Sequence, residues 1–274
     1  MILLGLDPRS SGTLAVFADE VGRILSRRTH PTLDAAAAAT HDGQRPASVG
    51  IVAHDEGSVG QGVAVNPGAA IALAEEWIGA ARGARHVAGL SLESSMHAGL
   101  IIDGRLFEGA HGLAGAVRWL ALNPVEREDY RKLGCLEAEV GAAGIVRRLV
   151  WRIKAGDSSE AQELAGGDLN AITLQHVFEA ARAGDGVAVA VVRDTAKYIG
   201  MAIANLVAML DPAVVVVGGS IAEAGDLLLE PTRLEVLRRV SQAASRHVSV
   251  VPASLGEASA AIGAARAALA SQAG

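Results

Sequence analysis

Ile203-Ala-Asn-Leu-Val-Ala-Met-Leu-Asp-Pro-Ala-Val-Val-Val-Val-Gly-Gly219 holds three structural signals in seventeen residues. The apolar stretch from Ala188 to Leu210 has helical character and is broken by Asp211-Pro212, because proline lacks the N–H that a helix interior needs. Ala213 to Val217 is a β-branched run of strand length. Gly218-Gly219 is a turn signal at its end. Helix, strand and turn in this order make an α/β unit.

Working outward, Leu174–Ala183 reads as a helix stopped by Gly184-Asp185, and a final Ala-rich helix spans about Glu257 to Ala270. At the other end, residues 2–6, 13–18 and 24 onward read as strand, turn, strand, turn, strand. Residues 31–48 read as a helix plus a loop, and Val49 to Ala53 as a short buried strand. The Gly- and charge-rich residues 54–62 read as a loop. Gly68 to Arg82 is helical, with Ile71, Ala74, Ile78 and Ala81 on one face. His86–Leu92 and Gly99–Ile102 read as strands, and Asp103-Gly104 as a hairpin turn. Strands then helices, twice, predict an α/β chain of two lobes.

Composition narrows the function. At 274 residues the chain is long enough for two domains and a large core. Its formal charge of -6 argues against a phosphate-backbone binder, and 3% aromatics leaves few platforms for stacking bases. The single cysteine, Cys135, excludes an intramolecular disulfide and a multi-cysteine metal site, which fits a reducing cytoplasm. The N-terminal apolar run stops at Asp7, too short for a signal peptide, and no run approaches the roughly 20 apolar residues of a membrane span. A cytoplasmic protein without membrane contact is expected.

The longer motifs point to a family. His176-Val-Phe-Glu-Ala-Ala-Arg-Ala-Gly-Asp185, Ile203 to Pro212 and Val214 to Gly219 resemble the ROK family of bacterial sugar kinases and sugar-responsive repressors. Leu100-Ile-Ile-Asp-Gly-Arg-Leu-Phe-Glu-Gly-Ala-His-Gly-Leu-Ala-Gly115, Gly134-Cys-Leu-Glu137 and Ser254 to Ala265 extend the resemblance over nearly the whole chain. It implies a two-lobed, actin-like ATPase (ribonuclease H-like) fold, here with a shortened first lobe. The expected division is residues 1–83 as the smaller lobe, closed by the helix 257–272, and 84–256 as the larger. A homodimer is implied as well.

The kinase motifs of that family match poorly. Its phosphate loop, Asp-x-Gly-Gly-Thr, stands here as Asp7-Pro8-Arg9-Ser10-Ser11-Gly12-Thr13, with displaced glycines and two added residues. Arg9 offers a guanidinium to an anion. A sugar hydroxyl is a poor nucleophile and needs a carboxylate to accept its proton. The family carries that base in Asn-Asp-Ala-Asn, and here Asn66-Pro67-Gly68-Ala69 puts Pro67 at the Asp. Asp55 or Glu56 is the substitute carboxylate at hand. The second glycine-rich phosphate turn reads Glu93-Ser94-Ser95-Met96-His97-Ala98-Gly99, with a negative charge where phosphates would lie. The sugar-clamping Glu and His of the family are Ala116 and Trp119, so Asn66 and Glu137 alone remain as clamps. Of the zinc ligands only Cys135 is present, its partners being Trp119, Glu128 and Tyr130, so no structural zinc is expected. Cys135 reads as a small buried apolar residue.

The resemblance therefore implies a nucleotide set of Asp7, Ser10, Thr13, Ser94, Gly218 and Gly219, and a sugar set of Asn66 and Glu137. ATP and Mg²⁺ are the cofactors it allows. The histidines show no metal spacing, and His30, His41 and His111 read as solvated. The charged run Glu126–Lys132 reads as a solvated loop. The leading expectation is a ROK-like chain with eroded kinase motifs that binds a sugar without phosphorylating it. A glucokinase-like, ATP-dependent sugar kinase with a rearranged site is the second, and a structural or interaction subunit the third. No helix-turn-helix precedes the first strand, so direct DNA recognition is not expected.

Overall fold

The computed structural model describes residues 1–54, 62–93 and 95–272, which form ten strands and ten α-helices. β1 (Ile2–Arg9), β2 (Gly12–Asp19) and β3 (Ile24–His30) make an antiparallel meander. After the short α1 (Leu33–Ala37), β4 (Ser48–Val52) adds parallel to β1, and β5 (Val63–Val65) parallel to β4. The sheet order is β3-β2-β1-β4-β5. Helix α2 (Pro67–Ile78) leads to β6 (Val87–Ser91), β7 (His97–Ile102) and β8 (Arg105–Leu106), an antiparallel set. A helical run follows: α3 (Glu128–Leu133), α4 (Cys135–Val140), α5 (Ala142–Lys154), α6 (Glu160–Leu164), α7 (Leu174–Ala183) and α8 (Gly186–Leu210). Then β9 (Val214–Gly218), α9 (Gly225–Arg239), β10 (Ser249–Pro252) and α10 (Ser259–Ala270) complete the chain. The second sheet is ordered β10-β9-β6-β7-β8, with β9 parallel to both its neighbours.

Local chemistry sets the boundaries. Asp185 caps α8 by accepting the Ala188 N–H, and Asp211 ends it in the left-handed region (φ 45°) just before Pro212. Thr173 accepts the His176 N–H and the His176 ring accepts the Thr173 N–H, a capping box at the start of α7. The all-valine β9 is a strand covered on both faces and both edges, which suits a β-branched run without alternation.

Close backbone approach holds α10 in place. A Cβ at Gly5 of β1 would lie 1.8 Å from the Ala261 carbonyl oxygen, and one at Gly50 of β4 would lie 1.8 Å from that of Ala264. On the other side of the helix, a Cβ at Gly263 would meet the Ala70 oxygen of α2, also at 1.8 Å. Only glycine fits at these three places.

A buried carboxylate joins the same elements. Glu75 of α2 has no exposed surface. It accepts the backbone N–H groups of Ala80 (2.7 Å) and Leu255 (3.0 Å) and the hydroxyls of Ser254 (2.7 Å) and Ser259 (3.4 Å). These donors tie the end of α2 to the start of α10.

The charged run at 126–132 is not a solvated loop. Residues Glu128–Leu133 form α3, which buries Tyr130. The Tyr130 hydroxyl donates to Glu139 (2.6 Å), itself buried, which also pairs with Arg127 (3.1 Å) and Arg148 (2.8 Å). Arg127 and Arg147 both reach Asp129 (2.9 and 3.0 Å). Burial and the Glu139 carboxylate push the Tyr130 phenol above its ordinary range. An isolated buried carboxylate is costly, and two guanidiniums and a phenol offset that cost here. Of the residues at the zinc-ligand positions, Trp119 carries no zinc-binding atom. Trp119 is half exposed, Glu128 pairs with Lys132 and Tyr130 is engaged with Glu139, so the side chains present do not fit a zinc ion. Cys135 is buried in the core, and burial pushes its thiol pKa up.

Three outcomes follow from this packing. Gly263→Ala forces the Ala70 and α10 backbones apart and lowers unfolding stability by about 3 kcal/mol or more in urea titration. Glu75→Gln places an amide against buried donors and costs about 1–3 kcal/mol by the same measurement. Cys135 stays unmodified by a thiol reagent at pH 8 in the folded protein and reacts fully once denatured.

Candidate functional site

A cleft of about 840 Å³ opens between the two sheets, at the ends of β1, β4, β6 and β9. β1 brings Asp7 and Arg9 to it. The parallel register of Leu6 with Ile51 carries β4 alongside, so that His54 arrives next to Asp7. β6 ends just before Glu93, and β9 ends in Gly218-Gly219, followed by a 3-10 turn, Ser220–Ala224, that contributes Glu223. Glu257, just before α10, closes the far side.

Asp7 is buried and both its oxygens are taken. Oδ1 accepts from His54 Nε2 at 2.8 Å and Oδ2 from Arg9 Nε at 2.7 Å. The Arg9 guanidinium also donates to the Glu257 carbonyl, and lies 3.9 Å from the Glu257 carboxylate. The other ring nitrogen of His54 lies 3.7 Å from Glu93. The hydrogen bond to Asp7 raises the His54 pKa, against partial desolvation and with help from the Asp7 and Glu93 charges. Desolvation raises Glu93, reinforced by the nearby Asp7 and Glu223 and opposed by His54 and Arg9.

The residues expected around a nucleotide divide. Asp7, Ser10, Gly218 and Gly219 line the cleft. Thr13 does not: it is buried in β2 opposite Pro8 and lies away from the lining. The two added residues lengthen the strands instead of opening a loop. Pairing runs through Arg9 with Gly12, leaving Ser10-Ser11 as a two-residue turn. Ser94, like Asp55 and Glu56, lies outside the described residues. The Gly-Gly turn has an internal reason for its second glycine. Gly219 has φ 94°, and a Cβ there would lie 2.6 Å from the Leu92 carbonyl oxygen.

The Mg²⁺–ATP pair implied by the fold family fits these residues poorly. A metal at Asp7 would compete with Arg9 and His54, which hold one carboxylate oxygen each. Four carboxylates (Asp7, Glu93, Glu223, Glu257) face two cationic side chains (Arg9, His54) in the lining.

The expected sugar clamps are each engaged by a protein group. Asn66 caps α2, its Oδ1 accepting the Ala69 N–H at 2.8 Å, and borders a cavity of about 140 Å³. The other lining residues there are apolar or glycine except Glu108. Glu137 is absent from this cavity. It accepts the Met96 N–H at 3.3 Å, lies 3.9 Å from Arg118, and is raised in pKa by burial. Pro67 is the first residue of α2 and is buried. Sequence reasoning missed His54, Glu223, Glu257 and Glu108 as site residues. A lone histidine before a charged loop and scattered glutamates carry no local signal, because the tertiary fold brings them together.

Residues 41–272 match the ROK family. A glucokinase of Halalkalibacterium halodurans is 34% identical over 165 residues, covering 59% of this chain and 49% of that protein. The DNA-binding transcriptional dual regulator NagC of Escherichia coli is 29% identical over 160 residues, 58% of this chain and 38% of the regulator. The matched stretch thus spans about half or less of these relatives. The crystal structure of a ROK family glucokinase from Streptomyces griseus, in complex with glucose and AMPPNP, superposes with a TM-score of 0.78 at 27% identity, over 98% of this chain and 99% of that one. The two five-stranded sheets are those of the actin-like ATPase fold. By sequence and by fold, the chain belongs to the ROK family.

Proposed function

We propose that this chain is a binding homologue of ROK sugar kinases, holding a sugar or a similar small molecule without transferring a phosphoryl group. One observation carries the reading. The residue after Asn66, where a proton-accepting side chain is needed, is Pro67, locked as the first residue of α2. Proline offers neither a carboxylate nor a backbone N–H. The engagement of Asn66, Glu137 and Asp7 with protein groups supports the same reading. The proposal extends to a homodimer of two-lobed protomers, divided at about residue 83, in the cytoplasm. In the described residues no helix is long and apolar enough to cross a membrane.

A second reading, an ATP-dependent sugar kinase, is favoured by the glucokinase relatives and by Glu108, the carboxylate beside Asn66. The two readings separate by ADP release over a panel of hexoses and amino sugars with Mg-ATP, run beside thermal shifts. The binding reading expects no sugar-dependent ADP and a midpoint raised by at least one sugar, since a ligand of the folded state adds RT ln(1 + [L]/Kd). Sugar-dependent ADP release that Glu108→Gln abolishes would establish the kinase instead.

A further inference from the structure

We propose that Glu93 and Glu223 make the cleft a charge filter, which admits an uncharged hydroxyl-bearing ring compound and rejects nucleoside polyphosphates with or without Mg²⁺. The inference rests on the binding reading above and assigns its site a ligand class.

Three observations carry it. The first is position. Glu93 lies over the glycine turn: a Cβ at Gly219 would meet Glu93 Cγ at 2.8 Å, so the glutamate stem covers the backbone that a ligand would approach. Glu223 lines the same cleft from the turn just beyond, and its charge reaches Glu93.

The second is that the cationic side chains are already engaged. Arg9 donates to Asp7 and to the Glu257 carbonyl, and His54 donates to Asp7 while facing Glu93. Both are already paired with protein groups, and a polyphosphate would add negative charge to a lining already in excess of it. A divalent ion would have to compete with Arg9 and His54 for Asp7.

The third is what remains. Ser10 and Ser220 line the cleft together with the apolar side chains of Val52, Ile71 and Val217. Hydroxyl groups next to apolar wall suit a neutral ring compound bearing hydroxyls of its own.

Adenosine and AMPPNP form a matched probe pair, differing in the phosphate chain. Titration calorimetry on the intact chain is expected to show adenosine binding at least tenfold tighter than AMPPNP, whether or not Mg²⁺ is present. In Glu93→Gln/Glu223→Gln, AMPPNP binding strengthens at least tenfold and adenosine binding stays within twofold. Glu223→Gln alone, at an exposed position, gives a partial gain and keeps the test open should the double variant fold poorly. Tighter binding of Mg-AMPPNP than adenosine by the native chain overturns the filter. So does an unchanged ratio in the variants, or no adenosine binding by any form. None of these readouts involves turnover. ADP release sinks the binding reading, whereas an unchanged ratio in the variants sinks the filter alone.

Discussion

The position of α10 is the constraint from which the rest of the arrangement follows. The helix lies with backbone against backbone on β1, β4 and α2, through Gly5, Gly50 and Gly263. Its buried residues are mostly alanine or glycine, as the close approach of the backbones at Ala261, Gly263 and Ala264 requires. The helix is laid down last in the chain, yet it covers the first strand, and Glu75 locks its start to α2 through three donors. β1, β4 and the start of α10 then deliver Asp7, Arg9, His54 and Glu257 to one place. The cleft is a consequence of the small residues packed beside it.

Interactions local in sequence were readable in advance, and interactions across the chain were not. The Asp211-Pro212 break and the valine run announced the end of α8 and β9, since proline and β-branching act on their own backbone. Helices α4 and α5 are separated at Gly141, where a Cβ would lie 2.6 Å from the Glu137 oxygen, a contact made within the helix end itself. The run Glu126–Lys132 looked solvated because its stabilising partners, Glu139, Arg147 and Arg148, stand outside the window in which charge is read. His54 is the extreme case. Its role depends on the pairing of β1 with β4, 47 positions apart for the two side chains, and nothing around residue 54 signals it.

On the proposed reading, the cleft is a phosphate site that changed character without losing shape. Two residues added after Asp7 extend a hairpin, and the extension projects Arg9 back onto Asp7. A carboxylate that would otherwise need an external cation has an internal one. His54 completes the arrangement from the neighbouring strand, and its own charge is favoured by the carboxylate it serves. The network is stable as an ion-paired unit, and for that reason it is a poor receptor for anything that must compete for Asp7.

Pro67 separates fold from chemistry at a single residue. The first position of a helix has no partner for its N–H, and a fixed φ near −65° is already helical. Proline therefore satisfies what α2 requires there, with Asn66 capping the Ala69 N–H just ahead of it. The following residues, from Gly68 to Glu75, pack against β6, β7 and α10 as the fold demands. Gly68 and Gly99 show how tightly, since a Cβ at either would lie within 2.5 Å of neighbouring backbone. None of that packing calls on a carboxylate at residue 67. A chain can thus keep every contact that defines this helix while carrying at its first position a side chain that cannot accept a proton. Similarity over the full fold and loss of the base are compatible, because they depend on different properties of the same position.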